Sequence, residues 1–170
     1  MTREELATDD RAVSTVVGYV LGLIIASLLI SGLFVAGGDL LTEQQTAAAT
    51  TGFEVAGERV ATGYADADRL VETADASASD PGTAPAVSVA VPIRSRIAGD
   101  GYTVRVTGTG GGDPPYTATI HLENTDGSAT YTTRVVTHTP IRDASVAGGP
   151  IVIRYDDGDG TLTLERGRIA

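Results

Sequence analysis

Residues 11–38 read RAVSTVVGYVLGLIIASLLISGLFVAGG, and this stretch decides the fold. No charged residue follows Arg11 until Asp39, so the 27 positions from 12 to 38 are uncharged. About 20 apolar residues in a helix are enough to cross the roughly 30 Å hydrocarbon core of a bilayer. A core helix that is apolar on every side needs protein on every side, which the rest of this chain is too short to supply. The stretch therefore predicts a membrane-spanning helix.

A secretory signal peptide is the alternative reading of the same stretch. Its apolar region is usually about 7–15 residues long and ends at a small-residue cleavage site. Here the run is longer, and Asp39-Leu40-Leu41 follows without a processing pattern. Arg3 and Arg11 precede the run, whereas the next basic residue after it is Arg59. Since basic residues near a span favour the cytoplasmic side, we expect a single-pass anchor with its N-terminus inside and the rest extracytoplasmic.

The charge balance is strongly acidic, with 22 Asp and Glu against 12 basic residues, all of them Arg. The net charge of −10 argues against nucleic acid as a partner, because phosphate binding needs clustered Lys and Arg. The composition resembles that of proteins from salt-loving archaea, where high ionic strength screens self-repulsion. A protein from a high-GC actinobacterium is the alternative. The absence of cysteine excludes disulfides and thiolate chemistry.

After the span the sequence still has a helical periodicity, but it now contains charged residues. Apolar residues recur at steps of three and four on one narrow stripe: Phe53, Ala56, Val60, Tyr64, Ala67, Val71 and Ala74. Charged residues, Asp68 among them, occupy the remaining faces. We expect a bend or break at Gly37-Gly38, since each glycine weakens a helix by about 1 kcal/mol. The stripe is expected to pack on the protein's own β-domain, with a partner helix as the second possibility.

Periodicity changes from helical to two beyond a polar linker at residues 77–85. Six alternating segments follow, and turn residues separate them, which predicts a small antiparallel sheet or sandwich. The predicted fold class is α+β: a long N-terminal membrane helix continues into an amphipathic helix, and about six strands follow. The predicted parts are a charged leader at 1–12, a transmembrane helix at 13–38, an amphipathic stalk helix at 39–76, the linker, and an extracytoplasmic β-domain at 86–170.

The residues at the start of the span, DDRAVSTVVG at positions 9–18, carry a family resemblance. They resemble the class III signal of archaeal type IV pilin-like proteins, including haloarchaeal minor pilin-like proteins, whose pattern is near R-A-V-S-P-V-I-G. Thr15 and Val17 stand where that pattern has Pro and Ile. The resemblance implies that a prepilin peptidase-like enzyme cuts between Ala12 and Val13, with Arg11 and Gly18 as further signal residues. It also implies a filament built through the apolar helix, with sister subunits as partners.

Small residues form a ladder on one face of the same helix: Gly18, Gly22 and Ala26. Small side chains at this spacing let helices approach closely in lipid. We therefore expect helix packing with sister subunits at these positions. The alternative is that Gly and Ala are simply common in membrane spans.

The remaining motifs favour structural roles. The acidic stretch DDGDG at 156–160 lacks the ligand spacing of a calcium loop and predicts a hairpin turn. GTGGG at 108–112 lacks the Lys and helix of a phosphate loop and predicts an ordinary loop. His121 alternates with Ile120 and Leu122, so it is expected on the solvent face of a strand. We expect no enzyme activity, no metal and no cofactor.

Together these features predict a structural role for the chain, and one alternative remains. The chain is expected to be a pilin-like protein, a minor component of a type IV pilus-like surface filament or of its assembly platform. The alternative is a single-span membrane-anchored binding module that does not polymerise. The sequence leaves open what the β-domain binds.

Overall fold

The computed structural model describes residues 3–77, 86–108 and 112–167, with side chains described from Val16 onward except at Asp39. It divides into two compact units, Met1–Gln44 and Gln45–Ala170. We call the second unit the head domain and describe each unit by itself.

A single helix, α1, extends over Arg3–Ser77 and contributes to both units. The break expected at Gly37-Gly38 is not found, because the α-helix continues through both glycines. Thr42 Oγ1 donates a hydrogen bond to the Gly38 carbonyl at 3.1 Å within this helix. Two glycines weaken a helix by only about 2 kcal/mol in total, which a helix of 75 residues tolerates.

Eight strands follow α1 in the described part of the chain, and all their pairings with one another are antiparallel. They are β1 (Ser88–Val91), β2 (Arg96–Ile97), β3 (Asp100–Gly108), β4 (Tyr116–Asn124), β5 (Thr130–Thr137), β6 (Ala144–Ala147), β7 (Ile151–Asp156) and β8 (Thr161–Arg166). The predicted α+β class, with a long helix before a small antiparallel sheet structure, is confirmed. The two strands beyond the predicted six are β2, which has only two residues, and β6, whose four residues are half-buried or exposed.

The strands form two sheets. One has the order β1-β7-β8; the other has the order β2-β3-β4-β5, and β6 also pairs with β3. The connection after β5 links the sheets, since Ile141 forms a parallel bridge with Leu162 of β8. The Leu162 N–H donates to the Pro140 carbonyl at 2.8 Å, and its own carbonyl accepts the Arg142 N–H at 3.0 Å. Residues 140–142 thus join β8 to the second sheet.

The apolar stripe of α1 packs against both sheets, as the sequence predicts. Phe53, Val60 and Tyr64 are completely buried, and only Ala74, at the end of the stripe, is half-buried. Two glycines allow the close approach. A Cβ at Gly57 would lie 2.7 Å from the Tyr131 ring, and one at Gly63 would lie 2.5 Å from Val91 Cγ2. The stripe therefore belongs to the core of the head domain.

Two buried tyrosines in this core differ in their hydrogen bonding. The Tyr102 hydroxyl donates to the Arg94 carbonyl at 2.6 Å, and burial raises its pKa to about 12. Burial also raises the pKa of Tyr64, but its hydroxyl has no hydrogen-bond partner within the described part of the chain. A buried polar group without a partner costs about 1–3 kcal/mol. The contribution of Tyr64 to stability therefore comes from the packing of its ring.

Replacing Tyr64 by Phe should leave the head domain equally stable or make it more stable, because the ring is retained and the unpaired hydroxyl is removed. The measurement is thermal unfolding of the full chain in detergent. The matched control is Tyr102→Phe, which loses the bond to the Arg94 carbonyl and should cost about 1 kcal/mol. A larger loss for Tyr64→Phe than for the control would show that the Tyr64 hydroxyl is satisfied.

Candidate functional site

The first unit presents an apolar surface on every side of its helix. Each large apolar side chain from Val16 to Val35 is exposed, from 47% at Val20 to 78% at Phe34. Within the described residues, one helix is long and apolar enough to cross a membrane, and this segment of α1 provides it. Hydrophobic side chains exposed to this extent are unfavourable in water, so the surface requires lipid or other apolar helices around it.

The ladder of small residues lies on this surface. A Cβ at Gly18 or Gly22 would meet no described atom within 4 Å, and Ala26 is exposed. Nothing described in the chain thus requires glycine there, although each glycine weakens the helix by about 1 kcal/mol relative to Ala. The ladder leaves room for the backbone of a second helix.

The predicted processing residues lie just before this surface. Arg11, Ala12 and Val13 belong to α1, and their side chains fall outside the described part of the structure. The structure therefore places their backbone on a helix, while the cleavage itself stays a prediction.

Carboxylates on α1 hold the helix to the second sheet. Glu58 Oε1 accepts hydrogen bonds from the Tyr131 hydroxyl at 2.9 Å and from Thr133 Oγ1 at 3.1 Å. Asp68 Oδ2 accepts the His138 N–H at 2.9 Å, and Oδ1 accepts the Thr139 N–H at 2.8 Å. The two Asp68 bonds satisfy backbone groups in the connection after β5, whereas the two Glu58 bonds hold side chains of β5.

Asp68 is one of the charged residues outside the apolar stripe, yet it is buried. The residue is only 6% exposed, because its carboxylate is needed for the two backbone N–H groups of that connection. The sequence gives only the side of the helix on which Asp68 lies, not its burial. Asp68 follows Tyr64 by four residues, so both lie on the same side of the helix.

The structure agrees with two of the predicted structural roles, those of DDGDG and His121, whereas the predicted loop at 108–112 lies partly outside the described residues. DDGDG forms the turn between β7 and β8, with Asp156 opposite Thr161, and Arg142 pairs with both Asp156 and Asp159. His121 lies on the outer face of β4, between the buried Ile120 and Leu122, with Nδ1 2.9 Å from Thr132 Oγ1. The predicted loop at 108–112 includes residues 109–111, which lie outside the described residues.

A shallow groove runs along the head domain between α1 and β1. Its volume is about 600 Å³, and its lining includes Val55, Thr62, Val89 and Pro92. Arg59 lies at this groove and donates from Nη1 to the Pro92 carbonyl at 3.3 Å. The groove combines apolar walls with charged side chains from the helix.

Comparison with protein families finds one match, described as Family of unknown function (DUF7266), over residues 8–166. The match includes the apolar helix and both sheets. No curated protein and no solved structure matches the chain.

Replacing Asp68 by Asn should destabilise the head domain. The amide can accept one of the two backbone N–H groups, but its NH₂ then faces the other donor, and a buried unsatisfied donor costs about 1–3 kcal/mol. Asp66→Asn is the control, because Asp66 is exposed on the same helix and its change should stay within about 0.5 kcal/mol. Chemical unfolding of both variants in detergent measures the difference, and equal stabilities would contradict the anchoring role.

Proposed function

The chain belongs to this family of unknown function, and we propose that it is a pilin-like structural subunit. It would be a minor component of a type IV pilus-like surface filament or of its assembly platform. The N-terminus would lie in the cytoplasm of an archaeal, salt-adapted cell, and the head domain would lie outside the membrane. The observation that carries this proposal is the division of one helix, α1, between two environments.

The two environments are visible in the side chains of α1. Between Val16 and Val35 its large apolar side chains are exposed on all sides, whereas from Phe53 to Val71 its apolar stripe is buried in the head domain. A pilin-like subunit needs both properties. Its exposed apolar part must be stable first in lipid and later among sister helices, while the head domain stays folded throughout.

The signal-like residues support the same proposal. A peptidase that cuts between Ala12 and Val13 removes the charged leader and leaves the apolar helix attached to the head domain. A charged leader is costly to move through the bilayer, so its removal frees the helix to leave the membrane. A cut after the span would instead release the head domain alone.

The ladder of Gly18, Gly22 and Ala26 supplies the proposed contact between subunits. Helices in lipid gain little from the hydrophobic effect and associate through close packing of small residues. The apolar segment carries no acidic residue, so an ion pair between subunits does not contribute within it.

A membrane-anchored binding module that does not polymerise is the second candidate function. The groove between α1 and β1 favours it, because a concave surface with apolar walls and a few polar groups suits a ligand. Such a module would keep its leader and would not need the small residues of the ladder. Cleavage of the leader and assembly through the ladder separate the two candidates.

The mature protein should begin at or beside Val13. Intact-mass analysis of the protein from its native cells checks this, and retention of Met1 or Thr2 in all molecules would favour the plain anchor. Arg11→Ala should leave the leader uncut, since Arg11 matches the basic residue of the signal. Arg3→Ala, which removes the other basic residue of the leader, should be cut normally.

Gly22→Leu should reduce assembly without preventing membrane insertion. Leu favours insertion, but its side chain holds two helix backbones apart. Leu23→Ile is the control, because it keeps the apolar volume on a neighbouring face. Cross-linking in the same membranes measures assembly of both variants, and equal assembly would exclude the ladder as the contact.

A further inference from the structure

Three side chains of ligand type meet where α1 contacts the connection after β5. Asp68 and Glu72 lie one turn apart on the helix, and His138 reaches them from the connection. His138 Nδ1 lies 3.1 Å from Glu72 Oε1 and 3.7 Å from Asp68 Oδ2. One ligand atom from each residue lies within 4.8 Å of the other two.

These separations suit a common metal ion. Zn²⁺ binds imidazole nitrogen and carboxylate oxygen at about 2.0–2.2 Å, so neighbouring ligands in a tetrahedral site lie about 3.3–3.6 Å apart. The two distances from His138 Nδ1 lie on either side of this range. Since Glu72 and His138 are exposed, a small side-chain rotation brings all three ligands to one ion.

Asp68 is already held in position for such a role. Its two oxygens accept the backbone N–H groups of His138 and Thr139, and its side chain is nearly inaccessible to solvent. Carboxylates that bind metals are commonly fixed by hydrogen bonds of this kind. A carboxylate oxygen has two lone pairs, so Oδ2 can accept one N–H and still bind an ion.

The other histidine lacks such surroundings. His121 Nε2 lies 3.8 Å from Glu123, and both side chains lie on the outer surface. Among the described residues, the set of Asp68, Glu72 and His138 is the one that brings three potential ligands together. Replacement of His121 is therefore the control for unspecific binding of Zn²⁺ by a histidine on an acidic surface.

We propose that Asp68, Glu72 and His138 bind a divalent transition-metal ion of the Zn²⁺ type, with water in the fourth position. One imidazole and two carboxylates suit Zn²⁺, whereas Mg²⁺ and Ca²⁺ prefer ligands that are all oxygen. The two carboxylates also balance the charge of the ion. The bound ion fastens the helix to the connection that links the two sheets.

The test is titration of Zn²⁺ into the full chain in detergent, followed by calorimetry. Molar NaCl and excess Mg²⁺ suppress binding to the general acidic surface. The expected result is saturable binding of one equivalent, weakened at least about tenfold in His138→Gln and in Glu72→Gln. His121→Gln should bind as tightly as the unmodified chain.

Thermal unfolding gives a second readout on the same variants. Zn²⁺ should raise the melting temperature of the unmodified chain and of His121→Gln, since a ligand of the folded state stabilises it, and should raise that of His138→Gln by less. Asp68 is left unchanged because its replacement also removes two backbone hydrogen bonds. The proposal is overturned if binding is not saturable, if Mg²⁺ abolishes it, or if His138→Gln and Glu72→Gln bind like the control.

Discussion

Packing of the second half of α1 against both sheets is the interaction on which the head domain depends. Phe53, Val60 and Tyr64 are completely buried, and their neighbours in that core come from strands of the two sheets. The sheets are joined to each other through residues 140–142 beside β8. The apolar area that the helix shares with the strands stabilises this domain by about 25 cal/mol per Å² buried.

Two glycines and two carboxylates of α1 fix the position of the helix against the strands. Gly57 and Gly63 let the helix approach closely, and a side chain at either position would collide with Tyr131 or Val91. Glu58 and Asp68 then fix the helix to β5 and to the connection after it. Apolar packing alone allows the helix to shift slightly against the strands. A carboxylate can accept hydrogen bonds from two backbone N–H groups at only one position of the helix. The proposed metal ion would act at the same end of the contact.

The same helix explains why the proposed function is structural. Its apolar part is exposed on all sides, and its small residues touch no described neighbour, so that part needs surroundings that the chain does not supply. Lipid and sister helices both meet this need. A protein that exchanges one for the other can move from the membrane into a filament while its head domain remains folded.

The sequence by itself determined the apolar segment, the stripe of α1, the main strands and the turn at DDGDG, because hydropathy and periodicity depend on residues close in the chain. It did not reveal the short strands β2 and β6. The pairing of β6 with β3 brings together segments about 40 residues apart, which no local pattern encodes. Only the tertiary structure decided that Asp68 is buried and that His138, 70 residues later, lies beside it and Glu72. The reason is that the sequence near a charged helix residue does not show which distant groups will contact it. The connection after β5 has two backbone N–H groups that need acceptors, and only the folded chain places them against the Asp68 carboxylate.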